Sequence, residues 1–275
     1  MTDLSTLQIL MILAGLATTS VVAGILAGLL GVGGGIVLVP ALFWLLSATH
    51  FPPELSMHMA VATSLATIVF TSVSSARAHY RRGSVDVSLL RLWGPGIALG
   101  ALTGGLAARY IDAGGLKLIF GIIALLVSLN MASPRALVIS DHLPKSRLAN
   151  GAISFATGTF SALMGIGGGT LSVPLLTAFS VDIRRAVGTA AAFGFLIAVP
   201  ATLGFIVSGL GVPGRPPASL GYVNLIGAAV ILPFTVGFAP VGARLAHRLD
   251  TIWIKRAFAV FLGITSIRML MSALG

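Results

Sequence analysis

Long apolar runs alternate with short polar segments along the whole chain. Eight of the runs are about 17 to 25 residues long, which is the length that an α-helix needs to cross a bilayer. Two further runs, at 36–48 and 170–180, are too short to span and have the length of half-membrane segments. The pattern predicts an all-α polytopic membrane protein. The predicted elements are 7–30, 36–48, 56–79, 87–110 and 116–133 in the first half, and 148–164, 170–180, 186–209, 219–243 and 254–273 in the second.

The composition agrees with a membrane protein. The chain of 275 residues is 56% hydrophobic and 9% charged, with a mean hydropathy of +1.03, whereas a soluble domain carries about 25% charged residues. The net charge of +10 comes from 17 Lys and Arg residues in short clusters between the apolar runs. These clusters are expected to anchor cytoplasmic loops rather than to bind nucleic acid. The first apolar segment follows no basic region, so we expect no cleaved signal peptide.

A glycine-rich motif occurs twice. The stretch "GLLGVGGGIVLVP" at 28–40 recurs as "ALMGIGGGTLSVP" at 162–174, 134 positions later. Weaker matches continue downstream, where "AVATS" at 60–64 resembles "AVGTA" at 186–190. The chain therefore reads as two transmembrane repeats, 1–138 and 145–275, joined by a polar linker within one integral membrane domain.

The direction of the two repeats depends on the short segments that follow the glycines. The stretches 31–35 and 165–169 are called the first and second glycine breaks below. If each glycine break is the tip of a re-entrant hairpin, each repeat has three further transmembrane helices and the repeats are inverted. If each short segment merely extends a loop, each half crosses four times and the repeats are parallel. The inverted arrangement places 13 Lys and Arg residues on one side and 4 on the other, against 9 and 8 for the parallel arrangement. The positive-inside bias favours inverted repeats with the basic side in the cytoplasm.

The glycines suggest a binding element. A break followed by a short helix exposes backbone N–H groups at the positive end of a helix dipole, which is an arrangement that binds anions. Close helix packing is the alternative, because small residues let membrane helices approach one another. Three consecutive glycines in both halves favour binding, at the midplane between discontinuous helices. The candidate backbone groups are those of Gly33, Gly34, Gly35, Gly167, Gly168 and Gly169.

The sequence resembles the sulfite exporter TauE/SafE family of membrane transporters. The resemblance depends on the doubled glycine motif, on "ATSL" at 62–65 and on "SSARAHYRRGSVD" at 74–86, and it covers nearly the whole chain. It implies a secondary transporter, expected to export a small sulfur-containing anion such as sulfite or an organosulfonate such as sulfoacetate. The implied location is the bacterial inner membrane, with the chain crossing it several times.

Polar side chains near the breaks complete the candidate site. Hydroxyl groups can donate to sulfonate oxygens without burying a charge, although in membranes they commonly bond their own helix. A basic group at the end of the third segment could gather anions at the cytoplasmic side, with interfacial anchoring as the alternative. The candidate side chains are Thr63, Ser64, Thr67, Thr170, Ser172 and Thr189 at the breaks, and Arg77 and His79 at the cytoplasmic end.

The remaining observations limit the function classes. All seven acidic residues fall at termini or in loops, so the predicted spans contain no carboxylate relay. The chain contains no HExxH, GxSxG or GxxxxGK[ST] motif, and we predict no catalytic residue, metal ligand or cofactor. The expected partners are a small anionic substrate and the lipid bilayer, with a homodimer left open and no nucleic acid. The alternatives are an anion channel, an uptake permease for another small anion, or a membrane scaffold.

Overall fold

The computed structural model describes residues 6–49, 51–133, 138–246 and 251–274. Ten α-helices and one short β-hairpin form in this part of the chain. Five of the helices are long and apolar enough to cross a membrane. The helices are α1 (Thr6–Leu30), α2 (Gly35–Ala48), α3 (Pro53–Tyr80), α4 (Val87–Ala107), α5 (Ala113–Ala132), α6 (Arg147–Met164), α7 (Gly169–Ala178), α8 (Ile183–Gly209), α9 (Leu225–Leu245) and α10 (Thr251–Leu274).

The helix ends have local causes that the sequence contains. Asp86, Asp112 and Asp182 each precede a helix, and each carboxylate accepts hydrogen bonds from first-turn N–H groups. Such N-caps satisfy donors that the helix itself leaves unpaired. The C-terminal end of α6 is set by Gly165, which has a positive φ of 68°. Glycine adopts this conformation without a Cβ penalty.

One predicted boundary is wrong. The ninth element was expected to be helical from residue 219, but 219–224 forms a hairpin of two strands, β1 (Ser219–Leu220) and β2 (Val223–Asn224). The turn passes against the end of α8, where a Cβ on Gly221 would lie 2.2 Å from the carbonyl oxygen of Ile206. Asn224 then caps α9 through the N–H of Gly227. The apolar composition of this stretch reflects burial of the hairpin and not a helix.

In each half, the long helix that precedes the glycine break packs along a helix of the other half. Helix α1 of the first half packs along α9 of the second, and α6 packs along α4 in the same way. Both pairs run parallel and meet through glycine. A Cβ on Gly28 would lie 1.8 Å from the carbonyl oxygen of Ala239, and one on Gly100 would lie 2.0 Å from that of Phe155. Small residues thus permit backbone contact between the halves.

The corresponding helices α3 and α8 lie side by side at the centre and run in opposite directions. Gly188, near the start of α8, contacts Ser84 just beyond the end of α3, and Gly194 contacts Ser72 farther along both helices. Helices α5 and α10 are also antiparallel, since Ser128 Oγ donates to the carbonyl of Ala259 while the other ends of these helices meet near residues 117 and 272. Among the helices long and apolar enough to cross a membrane, α3 and α8 are the most buried. In an 18-residue apolar stretch of each, 67% and 50% of the residues are buried.

Each glycine break joins a long helix to a short one that turns back. Ile139, in the segment leading to α6, donates its N–H to the carbonyl of Ala178, so α7 ends near the place where α6 begins. Helix α2 ends beside the start of α5 and the end of α10, where Lys117 lies over Phe43 and Arg268 lies over Trp44.

The basic side chains of the described residues separate to the two ends of the helix bundle. One end carries ten of them and the other carries four. The larger group is Arg77, Arg81, Arg82, Arg91, Lys145, Arg147, Arg184, Arg185, Arg244 and Arg256, and the smaller group is Arg109, Lys117, Arg215 and Arg268. The end with the larger group is called the basic end below.

Candidate functional site

The two glycine breaks contact each other in the interior. The N–H of Gly167 donates to the carbonyl of Val32 over 3.1 Å, and a Cβ on Gly33 would lie 3.2 Å from the Cα of Gly167. Gly33 also lies against Ile68, halfway along α3, and Gly168 lies against Gly194, halfway along α8. The structure therefore brings together all six predicted glycines, each of them buried.

These glycines have a packing role in the structure. A Cβ on Gly35 would lie 2.3 Å from the carbonyl oxygen of Gly165, and one on Gly169 would lie 2.5 Å from that of Gly31. Gly33 and Gly34 also have φ values of 71° and 82°, which side-chain-bearing residues rarely adopt. Close packing, which the sequence left open as the alternative to anion binding, is therefore one role of these glycines, because a Cβ would prevent the two breaks from touching. Packing and binding are not exclusive, because the contacts that fill these Cβ positions do not use the backbone N–H groups of Gly35 and Gly169.

Backbone donors converge where the breaks meet. Helices α2 and α7 begin here, and their N-cap residues Gly34 and Gly168 provide no side-chain cap. Within the described residues, the N–H groups of Gly34, Gly35, Gly168 and Gly169 donate no hydrogen bond. The positive ends of two helix dipoles therefore lie at the breaks, which is the electrostatic arrangement that stabilises an anion.

The hydroxyl groups of α3 differ in what they contact. Ser64 Oγ donates to the carbonyl of Gly165 over 2.8 Å, so this side chain lies directly on the second break. Thr67 Oγ1 donates to the carbonyl of Ser64 in its own helix. Of these two predicted residues, Ser64 donates a side-chain hydrogen bond to a break and Thr67 donates within its own helix.

Thr63 and Thr189 have matching roles in the two halves. Thr63 Oγ1 accepts the N–H of Asn224, the cap of α9, and Thr189 Oγ1 accepts the N–H of Asp86, the cap of α4. Each threonine thus holds the start of a helix that belongs to the other half. The sequence indicated hydroxyls near a site, but it could not indicate that these two oxygens accept hydrogen bonds from residues more than 100 positions away.

Three buried hydroxyls on the second hairpin have no hydrogen-bond partner among the described residues. They belong to Ser161, Thr170 and Ser172. The sequence identified Thr170 and Ser172 but missed Ser161, which lies one turn before the second break. A comparison of the repeats could have found it, because the positions equivalent to Ser161, Thr170 and Ser172 in the first half are Ala27, Ile36 and Leu38. A buried hydroxyl without a partner is unfavourable, so this group is a candidate for contact with a ligand.

Arg77 and His79 lie at the basic end. Arg77 is exposed, whereas His79 is buried and its Nε2 donates to the carbonyl of Gly28 over 2.8 Å. His79 thereby fastens the end of α1 to α3. The structure does not bring Arg77 to the glycine breaks, whereas His79 contacts the helix turn that precedes the first break.

A histidine and a tyrosine lie together at the opposite end. His58 Nε2 donates to the carbonyls of Ala108 and Ile111, over 3.1 and 2.9 Å, and its ring stacks on Tyr222 at 4.8 Å. Burial raises the pKa of the Tyr222 hydroxyl, and the positive charge of Arg109 partly opposes this. Within the described residues, no three His, Asp or Glu side chains are grouped as metal ligands would be.

Comparison with known proteins places the chain in a family. The model of the sulfite exporter TauE/SafE family matches residues 16–269. A probable membrane transporter protein of Haemophilus influenzae is 35% identical over 250 residues, covering 90% of this chain and 94% of the relative. The probable membrane transporter protein YunE of Bacillus subtilis is 26% identical, with the same coverage of both chains. No solved structure matches the chain significantly. The chain therefore belongs to the sulfite exporter TauE/SafE family and is a multi-pass membrane transporter.

Proposed function

We propose that this transporter carries a small sulfur oxyanion or organosulfonate by secondary transport, and that the anion binds where the two glycine breaks meet. The observation that carries the proposal is the group of unpartnered hydroxyls, Ser161, Thr170 and Ser172, on the hairpin that contains the second break. A sulfonate has three oxygens that accept hydrogen bonds. The hydroxyls and the N–H groups at the start of α7 can donate to them.

The lack of acidic side chains at the breaks supports an anionic substrate. In the described residues, Asp86, Asp112 and Asp182 lie just before helices, Glu54 lies in the first turn of α3, and Asp141 lies in the segment before α6. Among the described residues, no carboxylate lies near the breaks to repel an anion, and neutral donors avoid the cost of burying a positive charge. We therefore assign the binding of the anion to dipoles and neutral hydrogen-bond donors.

We infer further that the two halves are inverted repeats that alternate access to the anion. The antiparallel course of the equivalent helices α3 and α8 supports this topology, and so does the excess of basic side chains at one end. Transporters with inverted repeats move one repeat against the other around a site at the midplane.

The topology can be tested directly because the chain has no cysteine. Single cysteines introduced at Arg81 and at Arg184 are expected to react with an impermeant maleimide from the same side of the membrane, the cytoplasmic one. Labelling of these two positions from opposite sides would contradict the inverted arrangement.

The function is tested with purified protein in liposomes. Uptake of labelled sulfite and sulfoacetate is expected to exceed that of empty liposomes and to saturate with concentration, whereas acetate is expected to compete weakly. Exchange of internal for external anion would distinguish a carrier from a channel. A scaffold protein would give no flux with any of these anions.

The driving force is tested in the same liposomes. An inside-negative potential supplies about 2.3 kcal/mol per charge per 100 mV for export of an anion, so no titratable side chain is required. We expect the flux to follow an imposed potential. Flux that ignores the potential, responds to a pH gradient and stops in the His58→Ala and His79→Ala variants would replace this mechanism with proton coupling.

A further inference from the structure

A small cavity lies between α3 and α9 at the basic end. Its volume is about 360 Å³ and its lining is Ala78, Arg81, Arg82, Pro240 and Arg244. Three arginines thus line one space, which no carboxylate of the described residues lines. All three side chains are exposed, so water screens part of their mutual repulsion, and a bound anion would offset the rest.

One of the three arginines is fixed in place, and the other two have no ion pair among the described residues. The guanidinium of Arg82 donates to the carbonyl of Ala78 over 2.7 Å, which fixes it against the wall of the cavity. Neither Arg81 nor Arg244 has an ion pair among the described residues, where the carboxylate of Asp86 pairs instead with Arg185. The positive charge of the cavity is therefore uncompensated by the described part of the chain.

An exposed apolar strip leads from the cavity towards the middle of the helices. On α3, Phe70 is 57% exposed and precedes Arg81 by eleven residues, which is three helical turns on one face. On α9, Pro233 and Gly237 are exposed on the face that ends at Arg244. The two helices run parallel here, joined by a hydrogen bond of 2.9 Å between two threonine hydroxyls.

We propose that this cavity binds the phosphate headgroup of an anionic phospholipid, with an acyl chain along the apolar strip. Arginine forms paired hydrogen bonds with phosphate oxygens, and basic pockets between transmembrane helices on the cytoplasmic side suit anionic headgroups. A free phosphate ion would use the arginines but not the strip. The combination of a charged cavity and an adjoining apolar surface therefore assigns the site to a lipid. This site is separate from the glycine breaks and does not depend on which anion the protein carries.

The proposal is tested by measuring lipid retention on the purified full chain. Protein is exchanged into nanodiscs of phosphatidylcholine with a small fraction of phosphatidylglycerol, and the bound lipids are counted by native mass spectrometry. Wild type is expected to retain phosphatidylglycerol selectively. The Arg81→Gln/Arg244→Gln variant is expected to bind it on the order of tenfold more weakly.

Two control variants separate the cavity from general surface charge. Arg91→Gln/Arg184→Gln removes the same charge from exposed positions at the same end and is expected to retain phosphatidylglycerol like wild type. Ala78→Phe fills the cavity while keeping all three arginines, and it is expected to lose the selectivity. Equal loss in the two double variants, or full retention by Ala78→Phe, would overturn the assignment to this cavity.

A free-anion arm distinguishes the source of the phosphate. Inorganic phosphate at 5 mM is added to the lipid-loaded protein and, separately, to the delipidated protein in detergent. We expect the bound phosphatidylglycerol to remain in place. Displacement of the lipid by phosphate at this concentration would mean that the cavity takes a small anion, and the lipid assignment would then be wrong.

Discussion

Replacing Thr170 by valine is expected to stabilise the protein while weakening its hold on the anion. In the structure the hydroxyl of Thr170 is buried, with 2% of the residue exposed, and it has no hydrogen-bond partner among the described residues. Valine removes this hydroxyl and nearly keeps the shape of the side chain. The two expected effects have opposite signs, which makes the experiment a sharp test of the site.

The magnitudes follow from the burial of this hydroxyl. A buried polar group without a partner costs about 1–3 kcal/mol, so the Thr170→Val variant should gain stability within that range when no anion is present. A hydrogen bond to a charged ligand contributes about 1.5–3 kcal/mol. Losing it should weaken the affinity for sulfite or a sulfonate by about tenfold to 150-fold.

The assay is thermal unfolding in detergent, with and without a titration of the anion. A ligand that binds the folded state stabilises it by RT ln(1 + c/Kd), where c is the concentration of free ligand. The unfolding temperature without anion therefore reports the change in stability, and its rise with anion concentration reports the affinity. The Ser172→Ala variant should behave in the same way. The matched control is Thr189→Val, because Thr189 Oγ1 already accepts the N–H of Asp86 and its loss should cost about 1–3 kcal/mol.

The outcome that would refute the reasoning is specific. If Thr170→Val and Ser172→Ala both bind and transport the anion like wild type, the unpartnered hydroxyls are not ligands and the site lies elsewhere. If Thr170→Val is instead destabilised without a change in affinity, this hydroxyl has a structural partner. Substitution of Gly34 or Gly168 by valine is a poorer test, because a Cβ there would lie 2.8 or 2.4 Å from the backbone of a neighbouring helix.

Two further predictions concern stability. Gly169→Ala should destabilise the protein by about 1–3 kcal/mol through overpacking against the first break. Gly151→Ala is the control, because no atom lies within 4 Å of the added Cβ, and it should stabilise the protein by about 0.5–1 kcal/mol. Equal unfolding temperatures for the two variants would contradict the packing role of Gly169. The Ser88 hydroxyl, followed by the Leu89 N–H and Arg185, holds the pKa of Asp86 below its ordinary value of 3.8 against the opposing effect of burial. The stability that this carboxylate adds is therefore complete above pH 3.8 and lost as the pH falls through its lowered pKa. Asp86→Ala should cost about 1 kcal/mol at pH 7, and the difference from wild type should shrink below pH 3.8 in thermal unfolding measured across that range.

The sequence alone determined the helical architecture closely. The predicted spans agree with the helices within a few residues, apart from the start of α9. The reason is that a bilayer demands long apolar helices with satisfied backbones, and the N-caps and glycines that end them act within one helical turn. The doubled glycine motif also predicted that two breaks exist, and the short segments after them predicted half-length helices.

Only the tertiary structure decided what the individual polar groups do. The sequence makes Thr63 and Thr189 candidate ligands, and the structure shows that the oxygen of each also holds the start of a helix in the other half. Thr170 and Ser172 looked similar to them and have no such partner among the described residues. A hydroxyl can donate, accept or remain unpaired, and its fate depends on which backbone group comes within about 3 Å. For Thr63 and Thr189 that neighbour lies more than 100 residues away in the sequence, so the local sequence does not indicate it. The packing of the two halves therefore decides which hydroxyls remain available to an anion.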